Sequence, residues 1–196
     1  MIENGFGIVT PAALAPVSLH EAKAHLRVEH DDENALIMGL IQAATARAEE
    51  YTRRAFVTQT QRLTLDRFPD SGGAIVLPRG PVSSVSAIAY VDENQDAQTF
   101  TDFVLDASKL LPRVMLAYGY SWPGTLSRDA VVTVDYVAGY GTPTDVPEAI
   151  KLAIKIMVAT WYDDVRSNVQ IGDQPYMMPE GSKAIMGPYR GQCGVY

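Results

Sequence analysis

The sequence predicts an α+β fold, with a small helical bundle core, an inserted antiparallel β domain and an extended C-terminal tail. Three observations carry that prediction. Apolar residues recur at three- and four-residue steps between residues 17 and 56 and again after residue 145, the stretch between them alternates as strands do, and beyond residue 164 the composition turns to Gly, Pro, Met and Tyr. The expected divisions are an arm over 1–16, a helical core over 17–56 plus 145–164, a β domain over 57–144 and a tail over 165–196.

Ser18 and Glu21 have the spacing of a capping box, in which the serine oxygen and the glutamate carboxylate each accept from an otherwise unpaired backbone N–H. A first helix therefore starts near Leu19 and stops around Arg27 and Val28. Asp31, Asp32 and Glu33 put negative charge at the positive end of a second helix dipole, and that helix is expected to run to about Arg54. Its apolar stripe is Leu36, Ile37, Leu40, Ile41, Ala44, Ala48 and Tyr51. Burying the larger of these is worth about 1.5–3 kcal/mol each, against about 1 kcal/mol for the cap. Packing decides this helix, so it needs a partner.

After Phe56 the period changes to two. Strands are expected over 57–65, 74–77 and 82–91, separated by the turns PDSGG at 69–73 and Pro78-Arg79-Gly80-Pro81, with a polar turn over 92–96. Strands over 100–105 and 113–116 flank Pro112, which lacks the N–H of a regular ladder position. Ala130 to Val137 is the clearest strand, rich in β-branched residues and punctuated by Gly139-Tyr140-Gly141. Short strands joined by Gly and Pro turns, with no helix between them, indicate an antiparallel sandwich or small barrel. The helical period then returns. Asp145 is placed to cap and Pro147 to open a helix whose stripe is Ile150, Ala153, Ile154, Met157, Val158 and Trp161, the partner the first helices lack.

At 196 residues the chain is long enough for one substantial core with an insertion. Apolar residues at 47% and charged residues at 20% describe an ordinary globular protein, and no apolar run approaches a bilayer span, so no membrane partner is expected. The first sixteen residues carry no Lys or Arg, unlike a secretory signal, and read as an extended arm. The lone Cys193 forms no internal disulfide, which favours an intracellular assembly route. A net charge of -7 with a pI near 4.9 argues against a surface that grips nucleic-acid phosphates.

Chemistry is sparse. His20, His25 and His30 are five apart and spread around a helix, unlike the i, i+4 pair of a helical zinc site. The run His30 to Glu33 lacks the glycine and alternation of a calcium loop, and acidic residues at a helix start already have a dipole explanation. Asp66, Asp70, Asp163 and Asp164 read as solvated carboxylates. There is no nucleophile elbow, phosphate loop or dinucleotide fingerprint. No catalytic residue, metal or cofactor is expected, and a small hydrolase is the minor enzymatic alternative. Tyr118, Tyr120 and Trp122 cluster in the loop YGYSWPG, where aromatics serve an interface or cap the β core. A carbohydrate- or receptor-binding module built on the β domain is the other alternative. The tail is too apolar for ordinary disorder, so it folds back or docks elsewhere.

Six stretches in order resemble the head-tail connector, or adaptor, family of long-tailed phages and phage-like gene transfer agents. They are SLHEAKAHLRVEHDDENALI, TQTQRLTLDRFP, LPRGPVSSV, VDYVAGYG, VPEAIKLAIKIMVATWYDD and the terminal PYR. The resemblance implies a helical core with an inserted β domain in longer members. It also implies a structural role in the virion neck, assembled in the bacterial cytoplasm. About a dozen copies would form a ring beneath the portal protein, extend the DNA channel, and offer a platform to the stopper or tail-completion protein. DNA would pass through the lumen without specific binding. On that reading Tyr176, Met177, Met178, Ile185, Met186, Tyr189 and Arg190 are portal-docking candidates, since flexible Met side chains adapt to a groove while Tyr and Arg supply hot-spot contacts. Tyr118, Tyr120 and Trp122 are candidates for a subunit or stopper interface, and Glu49 and Glu50 for lining the channel.

Overall fold

The structure, a computed structural model, describes residues 4–109, 111–167 and 177–191. It is an α+β fold that divides into two compact units. A β unit comprises Met1–Ala13, Thr58–Tyr140 and Gly191–Tyr196, and a helical unit Leu14–Val57 and Gly141–Arg190.

In the helical unit, α1 (Leu19–Leu26) opens with the expected capping box: Ser18 Oγ accepts the Glu21 N–H at 3.2 Å and the Glu21 carboxylate accepts the Ser18 N–H at 2.7 Å. α1 stops at Arg27 and α2 (Asn34–Thr52) at Arg53, each in the left-handed region at φ 58 and 55, where the residue's N–H reaches back to a carbonyl of the last turn. The acidic run before α2 does not cap it through a side chain. Asp31 instead accepts from Lys23 Nζ at 2.7 Å and Asn34 Nδ2 at 3.0 Å, tying α1 to α2.

The returning helix, α3 (Glu148–Ser167), packs against α2, and Ile37, Leu40, Ile41, Ala44 and Ala48 are buried together with Ile150, Ala153, Ile154, Met157, Val158 and Trp161. Tyr162 of α3 donates its hydroxyl to the Glu33 carboxylate. Asp145 does not cap α3. It closes a separate 3-10 turn, Pro143–Asp145, by accepting the Thr142 N–H and hydroxyl at 2.7 Å each, and α3 begins only after Pro147.

The tail is not extended over its described part. A fourth helix, α4 (Glu180–Met186), packs on α3, with Met178, Ser182 and Met186 buried. Ser182 Oγ donates to the Ala153 carbonyl at 3.0 Å, Trp161 Nε1 to the Met177 carbonyl at 2.9 Å, and Arg54 Nε to the Tyr189 carbonyl at 2.6 Å. Three hydrogen bonds thus hold residues 177–189 to the bundle. Cys193 lies outside the described residues.

The β unit starts where an arm was expected. Asn4–Thr10 is a strand, β1, paired antiparallel with β2 (Gln59–Leu65). β3 (Ile75–Val76) and β4 (Val82–Val91) follow as read from the sequence, but the single strand expected over 100–105 is two, β5 (Ala97–Phe100) and β6 (Phe103–Asp106). β7 (Arg113–Leu116) and β8 (Val132–Ala138) complete the set. One sheet has the order β1-β2-β8-β4-β5 and a smaller one β3-β7-β6. The alternation of β2 and β8 places Leu63, Leu65, Val132, Val134 and Tyr136 on the buried inner face. On the outer face Arg62 meets Asp135 in a bidentate pair at 2.6 and 2.7 Å. Tyr136 donates its hydroxyl to the Pro78 carbonyl at 2.8 Å, joining the large sheet to the turn after β3.

Candidate interaction surfaces

The residues singled out for docking separate by burial. Met178, two residues before α4, and Met186, the last residue of α4, are core, at 4% and 0% exposure. Met177 is 56% exposed, with its carbonyl held by Trp161. Ile185 and Tyr189 are half-buried and Arg190 is exposed, its guanidinium 5.4 Å from the Tyr51 ring centroid. Tyr176 lies outside the described residues. Met177, at the start of this described segment, and Arg190, at its end, are the exposed members.

The aromatic loop also splits. Trp122 stacks on Phe68 at 4.9 Å between centroids with a 7° interplanar angle, meets Phe100 at 5.2 Å, and donates its indole N–H to the Gly73 carbonyl at 2.9 Å. It caps the β core. Tyr118 and Tyr120, four and two residues earlier, are 104% and 55% exposed and are lifted into solvent by that anchor. Gly119 between them, at φ 86, turns the chain in a conformation that side chains resist.

Glu49 and Glu50 are neighbours with different work. Glu49 accepts the Phe56 N–H at 2.8 Å, closing the chain reversal after α2, whereas Glu50 is exposed and pairs with Arg47 at 3.0 Å. Other carboxylates serve local structure too. The backbone and hydroxyl of Ser18 hold Glu21 below the usual carboxylate range, Thr142 does the same for Asp145, and the Arg62 guanidinium for Asp135. Among the described residues no cluster of three His, Cys, Asp or Glu is placed to hold a metal.

Two features were not singled out from the sequence. A groove of about 370 Å³ in the helical unit is lined by Leu14, Val17, Leu19, Met38, Ile41 and Pro143, with Leu14 and Met38 exposed. The second is the margin of β1, where Phe6, Ile8 and Val9 are exposed. The signal for that strand, Phe6 and Ile8 alternating with Gly5 and Gly7, is present in the sequence but carries no polar residue to mark an outer face.

A family model for the Phage gp6-like head-tail connector protein matches residues 16–102. Three solved structures contain similar chains, each covering 97% of both partners: the neck of an empty GTA particle computed with C6 symmetry (23% identity, TM-score 0.79), the virion of a native gene transfer agent (GTA) particle (24%, 0.77) and the neck of a native GTA particle computed with C12 symmetry (21%, 0.75). No curated protein matches the sequence. Over residues 16–102 the chain thus resembles the Phage gp6-like head-tail connector family, and over nearly its whole length it shares the fold of chains solved in gene transfer agent particles.

Proposed function

We propose that this chain is a structural head-tail connector, or adaptor, of a phage-like particle. Copies sit in the virion neck as a ring beneath the portal protein, extend the DNA channel, and present a platform to the stopper or tail-completion protein. The observation that carries this reading is the likeness, over 97% of the chain, to chains from GTA necks, joined to the connector-family match. The C6 and C12 symmetries of those necks support a ring of about a dozen copies. Such a ring multiplies a net charge of -7, and whatever part lines the lumen repels phosphate, so DNA slides through without specific binding. Glu50, exposed beside Arg47, is the better channel candidate, since Glu49 is committed to the Phe56 N–H.

Portal docking is assigned to the exposed Met177 and Arg190 and the half-buried Ile185 and Tyr189, together with Tyr176, while Met178 and Met186 hold that segment from within. Tyr118 and Tyr120 are assigned to a neighbouring subunit or the stopper, positioned by Trp122. The test mixes the full-length chain with the portal of the same particle and images the complex. A ring of this chain on the portal is the expected result. Its absence at high concentration of both proteins overturns the reading.

A further inference from the structure

The five-stranded sheet of the β unit has β1 and β5 as its two margins among the described residues. We propose that β1 of one copy adds to the β5 margin of the next, so that neighbouring sheets run on into one another around the ring; this rests on the ring reading above.

An edge strand leaves half its N–H and C=O groups without a partner, and proteins usually blunt such an edge with Lys, Pro or an inward charge. The β1 sequence NGFGIVT has none of these over its 7 residues, and proline appears only at Pro11, beyond the strand. Its side chains say the same. Phe6 and Ile8 lie opposite Leu63 and Gln61 of β2, on the inner face. Leu63 and Gln61 are buried, yet Phe6 stays 39% exposed with the Arg79 guanidinium 4.7 Å from its ring centroid, and Ile8 is 47% exposed, so the apolar face runs past β2 to a margin that is only partly covered. On the other face Gly5 and Gly7 present no side chain, and the space beside Gly7 is open.

The opposite margin is compatible. β5, AQTF, is also uncharged, and Gln98 shares the inner face with its partner Tyr90. Each neighbouring pair in the order β1-β2-β8-β4-β5 is antiparallel, so β1 and β5 run in the same direction. Addition of one to the other is therefore parallel and repeats head to tail. That is the geometry a closed ring of more than two copies needs, two different surfaces on each subunit, whereas β1 meeting β1 would close at a dimer. An edge of 4 to 7 residues buries less than the roughly 800 Å² per partner of a stable interface, so the contact forms within a ring held by other surfaces and not between free chains.

The experiment uses particles assembled with the full chain. Cys193→Ser removes the natural thiol, and Ile8→Cys with Gln98→Cys places one thiol on each margin, both on the inner face. A short bismaleimide is added and the chain is resolved by denaturing electrophoresis, while necks are imaged for the ring. The expected result is a ladder of dimers, trimers and higher species, at least ten-fold above either single-cysteine chain. Rings without a ladder overturn the β1-to-β5 contact and leave the ring reading standing. Dimers from Ile8→Cys alone also overturn it, and necks of particles carrying the unsubstituted chain that show no ring of it overturn both. If the first pair blocks assembly, Gly7→Cys with Thr99→Cys, on the outer face of the same strands, gives the same readout.

Discussion

Ser18, Trp122 and Asp135 each hold a neighbour in place by a contact that a single substitution removes. Ser18→Ala deletes the cap of α1 and should cost about 1 kcal/mol, read as a lower midpoint in urea unfolding. Trp122→Ala removes a ring stacked on Phe68 and should cost about 3–5 kcal/mol, whereas Tyr118→Ala, at full exposure, should leave the midpoint within about 0.5 kcal/mol. Glu21, Asp135 and Asp145 add a pH dependence of definite sign. Each is held below its ordinary value of 4.5 or 3.8 when folded, so the stability it contributes is complete above that value and is lost as the pH falls through the folded one. Unfolding midpoints should therefore drop below about pH 4.5, and Ser18→Ala should flatten part of that drop. The capping box was legible because it is a local pattern of two residues. Asp145 was misassigned because the same local chemistry served Thr142, three residues back, instead of the helix ahead.

At the scale of elements, the long periodic segments were readable, and the misses fell on short ones. α2 and α3 are 19 and 20 residues long with continuous stripes, so burial and period agree over several turns. The 7 residues of α4, EGSKAIM, include a glycine and give under two turns of signal, and it is tertiary contact, the Ser182 bond to the Ala153 carbonyl and the burial of Met186, with Trp161 and Arg54 holding the flanking Met177 and Tyr189, that orders them. The break between β5 and β6 at Thr101-Asp102 was hidden because the flanking residues stay apolar and β-prone. α4 also changes what truncation tests. Deleting everything after Ser167 removes Met178, Ser182 and Met186 from the core, so that chain should unfold at a markedly lower temperature and cannot isolate docking. Met186→Ala alone should cost about 2–5 kcal/mol. Met177→Ala with Arg190→Glu should leave the melting temperature nearly unchanged while lowering co-purification with the portal at least ten-fold.

For the whole molecule, the α+β class and the sequence of helices, β segment and returning helix from α1 to α3 followed from changes of hydrophobic period, and the connector resemblance followed from six short stretches in sequence order, whereas β1 and α4 did not follow from either. Which surfaces meet other copies did not, because an interface is a property of exposed residues, and sequence periodicity reports buried ones. Met178, Met186 and Trp122 show the difficulty: composition marked them as contact residues, and the fold spends them on its own core. What is left exposed includes Met177 and Arg190 at the two ends of the last segment, the Tyr118-Tyr120 loop, and the margin of β1. A reconstruction of the neck from particles carrying this chain tests the connector reading most directly. The account predicts a ring of about a dozen copies directly beneath the portal, enclosing the DNA channel. Particles whose portal joins the stopper or tail with no copy of this chain between them would contradict it.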